Sequence, residues 1–352
     1  MGMPNINIIF QELAKTVEDR SDNGIVALVL ENNGNMNMKE YAPGDQIDSS
    51  VAAAAKTQIE LALKGGREKP QKVICYFCKS GFEDLDSALN ELEMKQFDYL
   101  AFGSALTEEQ QQKVITWIKE IREEGKKIKA VLPNAAADHE AIINYTTESV
   151  TVGGESFTAE TFCSRIAGAL AGTAITMSVT YTVMGDVEDC TRLRRSELDT
   201  KIDNGELVLF KDGEYVRIAR GVNSLKTATE GKTEQYKKTK IVDVMDRLST
   251  DISTTIKNNW IGQYANTYNN KCLLVAAVQE YFNDLVKRTV LSEAVVEIDL
   301  EGNKEYLQKH GKDTVNMSED EIKQANTGDH VYLKAAVGIL DAMEDFEIKI
   351  TV

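Results

Sequence analysis

Between Val73 and Leu132 the sequence alternates short apolar runs with amphipathic ones, and this alternation limits the fold more than any other feature. Val73 to Cys78, Tyr99 to Phe102 and Ile128 to Leu132 are apolar runs of strand length. Between them, Phe82 to Met94 puts Leu85, Leu89 and Leu92 on one helical face. Thr107 to Glu124 turns Val114, Ile118 and Ile121 inward behind a capping box of Thr107 and Gln110. Strand, helix, strand, helix, strand with short connections predicts a parallel sheet with right-handed crossovers. Ile25 to Leu30 reads as another buried strand, and Val51 to Leu63 as a helix ending at Gly65-Gly66. Asn32 to Ser49, rich in Asn, Gly and Asp, reads as loop. Ile142 to Tyr145 and Ser149 to Val152 read as short strands around a turn. In the helix Thr158 to Gly172, the small residues Ala167, Gly168, Ala171 and Gly172 allow close packing. Ile166 to Met184 carries no charge but holds four threonines and a serine, and alternates over Ser178 to Val183. It reads as a helix end followed by a strand, not as a membrane span.

After about Asp189 the pattern changes. Glu206 to Ile218 predicts a hairpin around Lys211-Asp212-Gly213. Asn223 to Tyr236 is a polar boundary. Thr239 to Lys257 and Asn269 to Arg288 are amphipathic helices. Ala294 to Leu300, Val331 to Leu340 and Phe346 to Val352 read as strands, with a capping box at Ser318 and Glu321 between the first two. The expected organisation is an arm over 1–22, an α/β domain over 23–228, an α+β domain over 229–342 and a terminal strand over 343–352.

Both ends of the sequence carry strand-like alternation. Phe346, Ile348, Ile350 and Val352 are apolar with polar residues between them, and Ile6, Ile8 and Phe10 stand in similar spacing. No strand follows Val352, so this segment must join a sheet made elsewhere or stay unpaired. Either both strands pair within their own subunit, or they add to neighbouring copies through main-chain hydrogen bonds.

The net charge of −16 disfavours non-specific nucleic-acid binding. From Arg192 to Lys240, twelve Lys and Arg stand against eight Asp and Glu, so this region carries +4 and the rest −20. Such opposed patches suit head-to-tail association, and Arg192, Arg194 and Arg195 are expected to face an acidic surface of a neighbouring copy. The amino terminus lacks the order of a secretory signal, and the five cysteines are expected to be reduced thiols. Cys75 and Cys78 form a CxxC inside an apolar run, which reads as structural because no second pair accompanies it. Neither GxGxxG after the first strand nor GxxxxGK[ST] occurs, so no cofactor is expected. The one catalytic candidate is Asp138-His139-Glu140, just past the carboxyl end of a predicted strand. It would serve an α/β hydrolase-like enzyme, though no Gly-x-Ser-x-Gly elbow accompanies it.

Three stretches resemble contractile tail sheath proteins. Arg165-Ile-Ala-Gly-Ala-Leu-Ala-Gly-Thr173 with Ser178-Val-Thr-Tyr181 resembles the segment closing their subtilisin-like α/β domain. Arg220-Gly-Val-Asn-Ser-Leu225 and Lys237-Lys-Thr-Lys-Ile-Val-Asp-Val244 resemble the junction to their carboxy-terminal domain. Met3 to Ile8 and Ile25 to Leu28 are similar to the arm and first strand of short sheath proteins from Gram-positive phages and phage-tail-like R-type bacteriocins. The resemblance implies a non-enzymatic subunit without cofactor, assembled in the bacterial cytoplasm and carried on a released phage tail or bacteriocin particle. It implies stacked hexameric rings around an inner tail tube, with baseplate and tail terminator as further partners. Terminal arms would exchange strands, and contraction would drive the tube through a target envelope.

Overall fold

The computed structural model describes residues 23–32, 37–229 and 232–351. Among these, residues 23–247 and 342–351 form one compact unit, and Leu248–Asp341 form another.

The first unit is built on a mostly parallel sheet. In chain order it begins with β1 (Ile25–Glu31), β2 (Met38–Tyr41), α1 (Ala53–Leu63), β3 (Lys72–Cys78), α2 (Leu85–Glu93) and β4 (Tyr99–Phe102). It continues with α3 (Glu108–Glu123), β5 (Lys129–Pro133), β6 (Ile142–Tyr145), β7 (Ser149–Val152), β8 (Glu155–Thr158) and α4 (Ala159–Ala171). It ends with β9 (Asp189–Cys190), α5 (Arg195–Asp203), β10 (Glu206–Leu207), β11 (Leu209–Lys211) and β12 (Val216–Ile218). Seven strands join in the order β10-β6-β5-β4-β1-β3-β2. Every pairing in this sheet is parallel except that of β2 with β3.

Strand β1 explains the layering. Successive strand residues point to opposite faces. Val26, Leu28 and Leu30 therefore enter one core with Ile59 and Ala62 of α1 and Phe162 and Ile166 of α4. Ala27 and Val29 enter the other with Leu89 and Leu92 of α2 and Val114 and Ile118 of α3. Helices cover both faces, which is why the strands read as unbroken apolar runs. The same rule parts the CxxC: Cys75 belongs to one core and Cys78 to the other, both buried. Helices α1 and α4 approach so closely that a Cβ at Gly168 would lie 2.0 Å from the Ala62 carbonyl oxygen. The capping box of Thr107 and Gln110 opens α3 as the spacing predicts.

Four sequence expectations are corrected. Asn32 to Ser49 holds β2, a four-residue edge strand whose Lys39 and Glu40 hide it from an apolar pattern. Ile142 to Tyr145 and Ser149 to Val152 do not pair with each other. The first joins the large sheet and the second pairs with β8 and β9. Ser178 to Val183 is not a strand, because Tyr181 adopts φ +58° and Thr182 N–H turns back to the Val179 carbonyl. Its alternation serves separate contacts, including one isolated bridge from Val183 to Arg217. Phe346 to Val352, described as far as Thr351, forms no strand with any described residue.

The chain passes between the units along α6 (Thr239–Asn259). The second unit continues with α7 (Tyr268–Lys287), β13 (Leu291–Ile298), α8 (Leu300–Lys309), α9 (Glu319–Gln324) and β14 (Leu333–Ile339). Strands β13 and β14 form a two-stranded antiparallel sheet. Leu274, Val278, Phe282 and Leu285 of α7 are buried, as are Leu291, Val296 and Ile298 of β13. No residue of β14 is buried.

The first turns of α6 are held in the first unit by buried charge. Lys129 of β5, 2% exposed, lies 2.9 Å from Asp246 and 3.0 Å from Asp243. Arg122 of α3 makes a two-pronged bond to Asp246 at 2.8 and 2.9 Å, and the Tyr99 hydroxyl donates to Asp243 at 2.5 Å. Burial works against the Lys129 charge, but the two carboxylates outweigh it and raise its pKa. Burial likewise opposes the Asp246 charge, and Lys129 and Arg122 override it, holding this carboxyl below its ordinary value. We expect Lys129→Met to lower stability by about 3–5 kcal/mol, because it leaves two buried carboxylates without their shared cation. Urea unfolding of the variant beside the wild type measures this.

Candidate functional site

The segment after β14 is the most unusual surface of the first unit. Glu344 is nearly covered, its side chain 8% exposed. Its carboxylate accepts hydrogen bonds from Ser178 Oγ at 2.8 Å, Thr180 Oγ1 at 2.7 Å and Arg220 Nε at 3.1 Å. Lys238 Nζ stands 3.9 Å away. A second Arg220 nitrogen donates to Asp345. Thr180 Oγ1 in turn accepts from the Gly221 N–H at 2.9 Å. Three stretches distant in sequence, 178–180, 220–221 and 238, thus form a socket for one carboxylate. Partial burial opposes the Arg220 charge, but Asp345 and Glu344 outweigh it and raise its pKa further.

Two residues later the environment reverses. Phe346, Ile348 and Ile350 are 72%, 78% and 82% exposed. Glu347 and Lys349 between them pair at 3.3 Å in solvent. A strictly alternating segment with its apolar side uncovered is suited to joining a sheet edge. Ile6, Ile8, Phe10 and Val352, the other residues of the expected arms, lie outside the described residues.

Arg192, Arg194 and Arg195 come together at the start of α5, all exposed. Arg192 reaches Asp189 at only 4.0 Å, and the Arg194 N–H donates to Glu197 at 2.6 Å. Positive side chains at a helix N-terminus oppose its dipole, which makes this grouping locally unfavourable.

The catalytic candidate gains no support from the structure. Asp138 accepts from Lys226 N–H, Thr227 N–H and Thr227 Oγ1 at 2.6, 3.0 and 2.7 Å. These bonds hold its carboxyl down at about 2. His139 Nδ1 accepts from the Ala141 N–H at 3.1 Å, and burial pushes the imidazole down to about 4 despite the nearby Glu140. Glu140 pairs with Lys232 at 2.9 Å. Ser224 is close, but its Oγ donates to the His139 backbone carbonyl at 2.9 Å and not to the ring. Asp138 and Glu140 are engaged with Lys226, Thr227 and Lys232 and the His139 ring with the Ala141 N–H, and among the described residues no nucleophile is poised against the imidazole. An open cleft of about 720 Å³ lies instead among Lys56, Glu60, Lys64, Arg165 and Asp186. Five of its charged groups pair with one another: Arg165 with Asp186 at 2.7 Å, Lys64 with Asp186 at 3.1 Å and Lys56 with Glu60 at 3.9 Å. Among the described residues no helix is long and apolar enough to cross a membrane.

Residues 79–224 match the family model of the phage tail sheath protein central domain, and residues 231–352 match that of the phage tail sheath C-terminal domain. The chain belongs to the phage tail sheath family. It is 41% identical over 357 residues to a tail sheath protein of Clostridium phage phiCD119, covering 99% of each sequence. Its fold is shared with a sheath tail protein of Listeria innocua, at a TM-score of 0.70 and 17% identity, over 96% of this chain and 100% of that one. It is also shared with the helical sheath of the anti-feeding prophage in its contracted state. There the TM-score is 0.66 at 13% identity, over 95% of this chain and 96% of that one. As a sheath protein the chain is a structural part of a phage-type tail.

The alternation of 346–352 was legible in the sequence, and the contacts that hold Glu344 were not. Arg220 and Lys238 stand within the two stretches that resemble the sheath domain junction, yet no spacing links them to Glu344. The contacts join residues more than a hundred positions apart. For the Asp138 contacts we expect Asp138→Asn to cost about 1 kcal/mol near neutral pH. The native carboxyl titrates at about 2, below its unfolded value of about 3.9, so its contribution is complete above pH ~5 and is lost as pH falls through about 2. Thermal melts of both proteins from pH 7 to pH 2 should show the gap closing.

Proposed function

We propose that this chain is the repeating subunit of a contractile tail sheath, polymerising as stacked hexameric rings around a tail tube. Contraction of that lattice drives the tube through a target cell envelope. The observation that carries the reading is the solvent-facing alternation of Phe346, Ile348 and Ile350 on a segment that pairs with no described strand. In the assembled lattice it adds to a sheet of a neighbouring copy. We assign β14 as the receiving edge, since it has β13 on one side, no described strand on the other and no buried residue. Ile6, Ile8, Phe10 and Val352 complete the two arm strands, and the first unit is read as subtilisin-like in the family's sense of fold without protease.

Arg192, Arg194 and Arg195 meet an acidic surface of an adjacent subunit, consistent with +4 over 192–240 against −20 elsewhere. The inner tail tube, baseplate and tail terminator are the other partners. The anti-feeding prophage, a source of neighbours of the same fold, is described both as a baseplate and as a contracted helical sheath. Assembly takes place in the bacterial cytoplasm, before release on a phage tail or bacteriocin particle. The work of contraction comes from a difference in contact free energy between two lattices, summed over many copies, so the subunit needs neither nucleotide nor catalysis.

Removing residues 346–352 tests the reading. We expect a protein that melts cooperatively near the wild-type temperature, sediments as a monomer and forms no tubes in negative-stain micrographs. Tubes formed by the truncated protein would refute strand donation at this end.

A further inference from the structure

The terminal arm and the strand before it are joined by a short connection. Strand β14 ends at Ile339 and the alternating apolar run begins at Phe346, which leaves the six residues 340–345 between them. Six residues are enough to turn a chain back on itself. A free tail could therefore fold back and cover the β14 edge of its own subunit. Residues 346–351 pair with no described strand, while Glu344 sits in the socket of Ser178, Thr180, Arg220 and Lys238.

We propose that Glu344 is a positioning residue for assembly, a staple that takes up the slack of this connection and keeps the arm from pairing with its own subunit. The inference rests on the reading of 346–352 as an arm and adds the device that makes the arm act on a neighbour. Three observations support it. Glu344 is covered, its side chain 8% exposed, although Met343 before it and the Asp345 side chain after it are each 86% exposed. The socket also holds more than one carboxylate needs for its charge, since two hydroxyls are aimed at it beside the cations. That arrangement fixes position as well as balancing charge, because each donor constrains a direction. Finally, Asp345 shares Arg220 with Glu344, so the last two residues before the arm are held by one guanidinium whose planar fork sets their orientation. With the staple closed, only residues beyond Asp345 are free. A seven-residue strand reaches roughly 25 Å from that point, enough to cross to an adjacent copy in a packed lattice.

The experiment compares four proteins: wild type, Glu344→Ala, the charge-exchanged pair Arg220→Glu with Glu344→Arg, and the deletion of 346–352. Tube formation is followed by sedimentation and negative-stain microscopy, and hydrogen exchange is measured over 333–339 in the unassembled subunit. We expect Glu344→Ala to stay folded, to need at least tenfold more protein before tubes form, and to slow exchange in 333–339 as its own tail covers that strand. The charge-exchanged pair should recover tubes. If Glu344→Ala assembles at the wild-type concentration while the deletion does not, the staple is refuted and the arm reading stands. If the deletion assembles as well, the arm reading fails and the staple falls with it. If Glu344→Ala does not fold, Glu344→Gln, which keeps shape and hydroxyl contacts, decides. A raised threshold supports the staple and a wild-type threshold overturns it.

Discussion

A lysine buried in a strand needs an anion delivered to it, and Lys129 receives two from a helix more than a hundred residues further along the chain. Without Asp243 and Asp246 the sheet would hold a desolvated cation and the α3 end a buried Arg122. The α/β layer is therefore complete only when the start of α6 is in place. The sheath family models meet between 224 and 231, whereas the compact units divide at Arg247. The buried ions explain the difference. They claim the first turns of α6 for the first unit, although in sequence those turns lie with the second.

The parts legible in the sequence were those whose signal is local. β1, β3 and β4 read as apolar runs because helices cover both faces of the sheet. The capping boxes of α3 and α9 read correctly because the box lies within four residues. What failed depends on the partner and not on the segment. β2 is a strand because β3 offers it an edge, and its own four residues carry two charges. Ser178 to Val183 alternates like a strand, but the Ser178 and Thr180 hydroxyls are committed to Glu344 and a left-handed Tyr181 breaks the line. His139 stood where α/β enzymes place ligands, and only coordinates show that Asp138, His139 and Glu140 are each tied to structural partners. The alternation of 346–352 was legible because a period of two is local, and the contacts of Glu344 were not, because a single covered carboxylate has no period.

The arm's energetics fit a contact that must be made many times and remade. Burying Phe346, Ile348 and Ile350, now exposed, would gain roughly 5–9 kcal/mol. Ordering the backbone of residues 346–351 would cost roughly 6–12 kcal/mol, since each residue loses about 1–2 kcal/mol of conformational freedom. The two terms nearly cancel, and the balance is set by main-chain hydrogen bonds worth about 1 kcal/mol each and by how much of the ordering is already done. The proposed staple would change the sum without touching the partner. It would fix the point of departure before association, so that the loss on binding is confined to the residues beyond it. A weak strand on a fixed pivot is a bond that a lattice can break at one subunit and still keep in register through its neighbours. A self-sufficient strand of high affinity would instead freeze whichever arrangement formed first. On this argument the net charge of −16 serves the same end: it holds unassembled subunits apart, so that a contact of near-zero free energy persists only where many are made together.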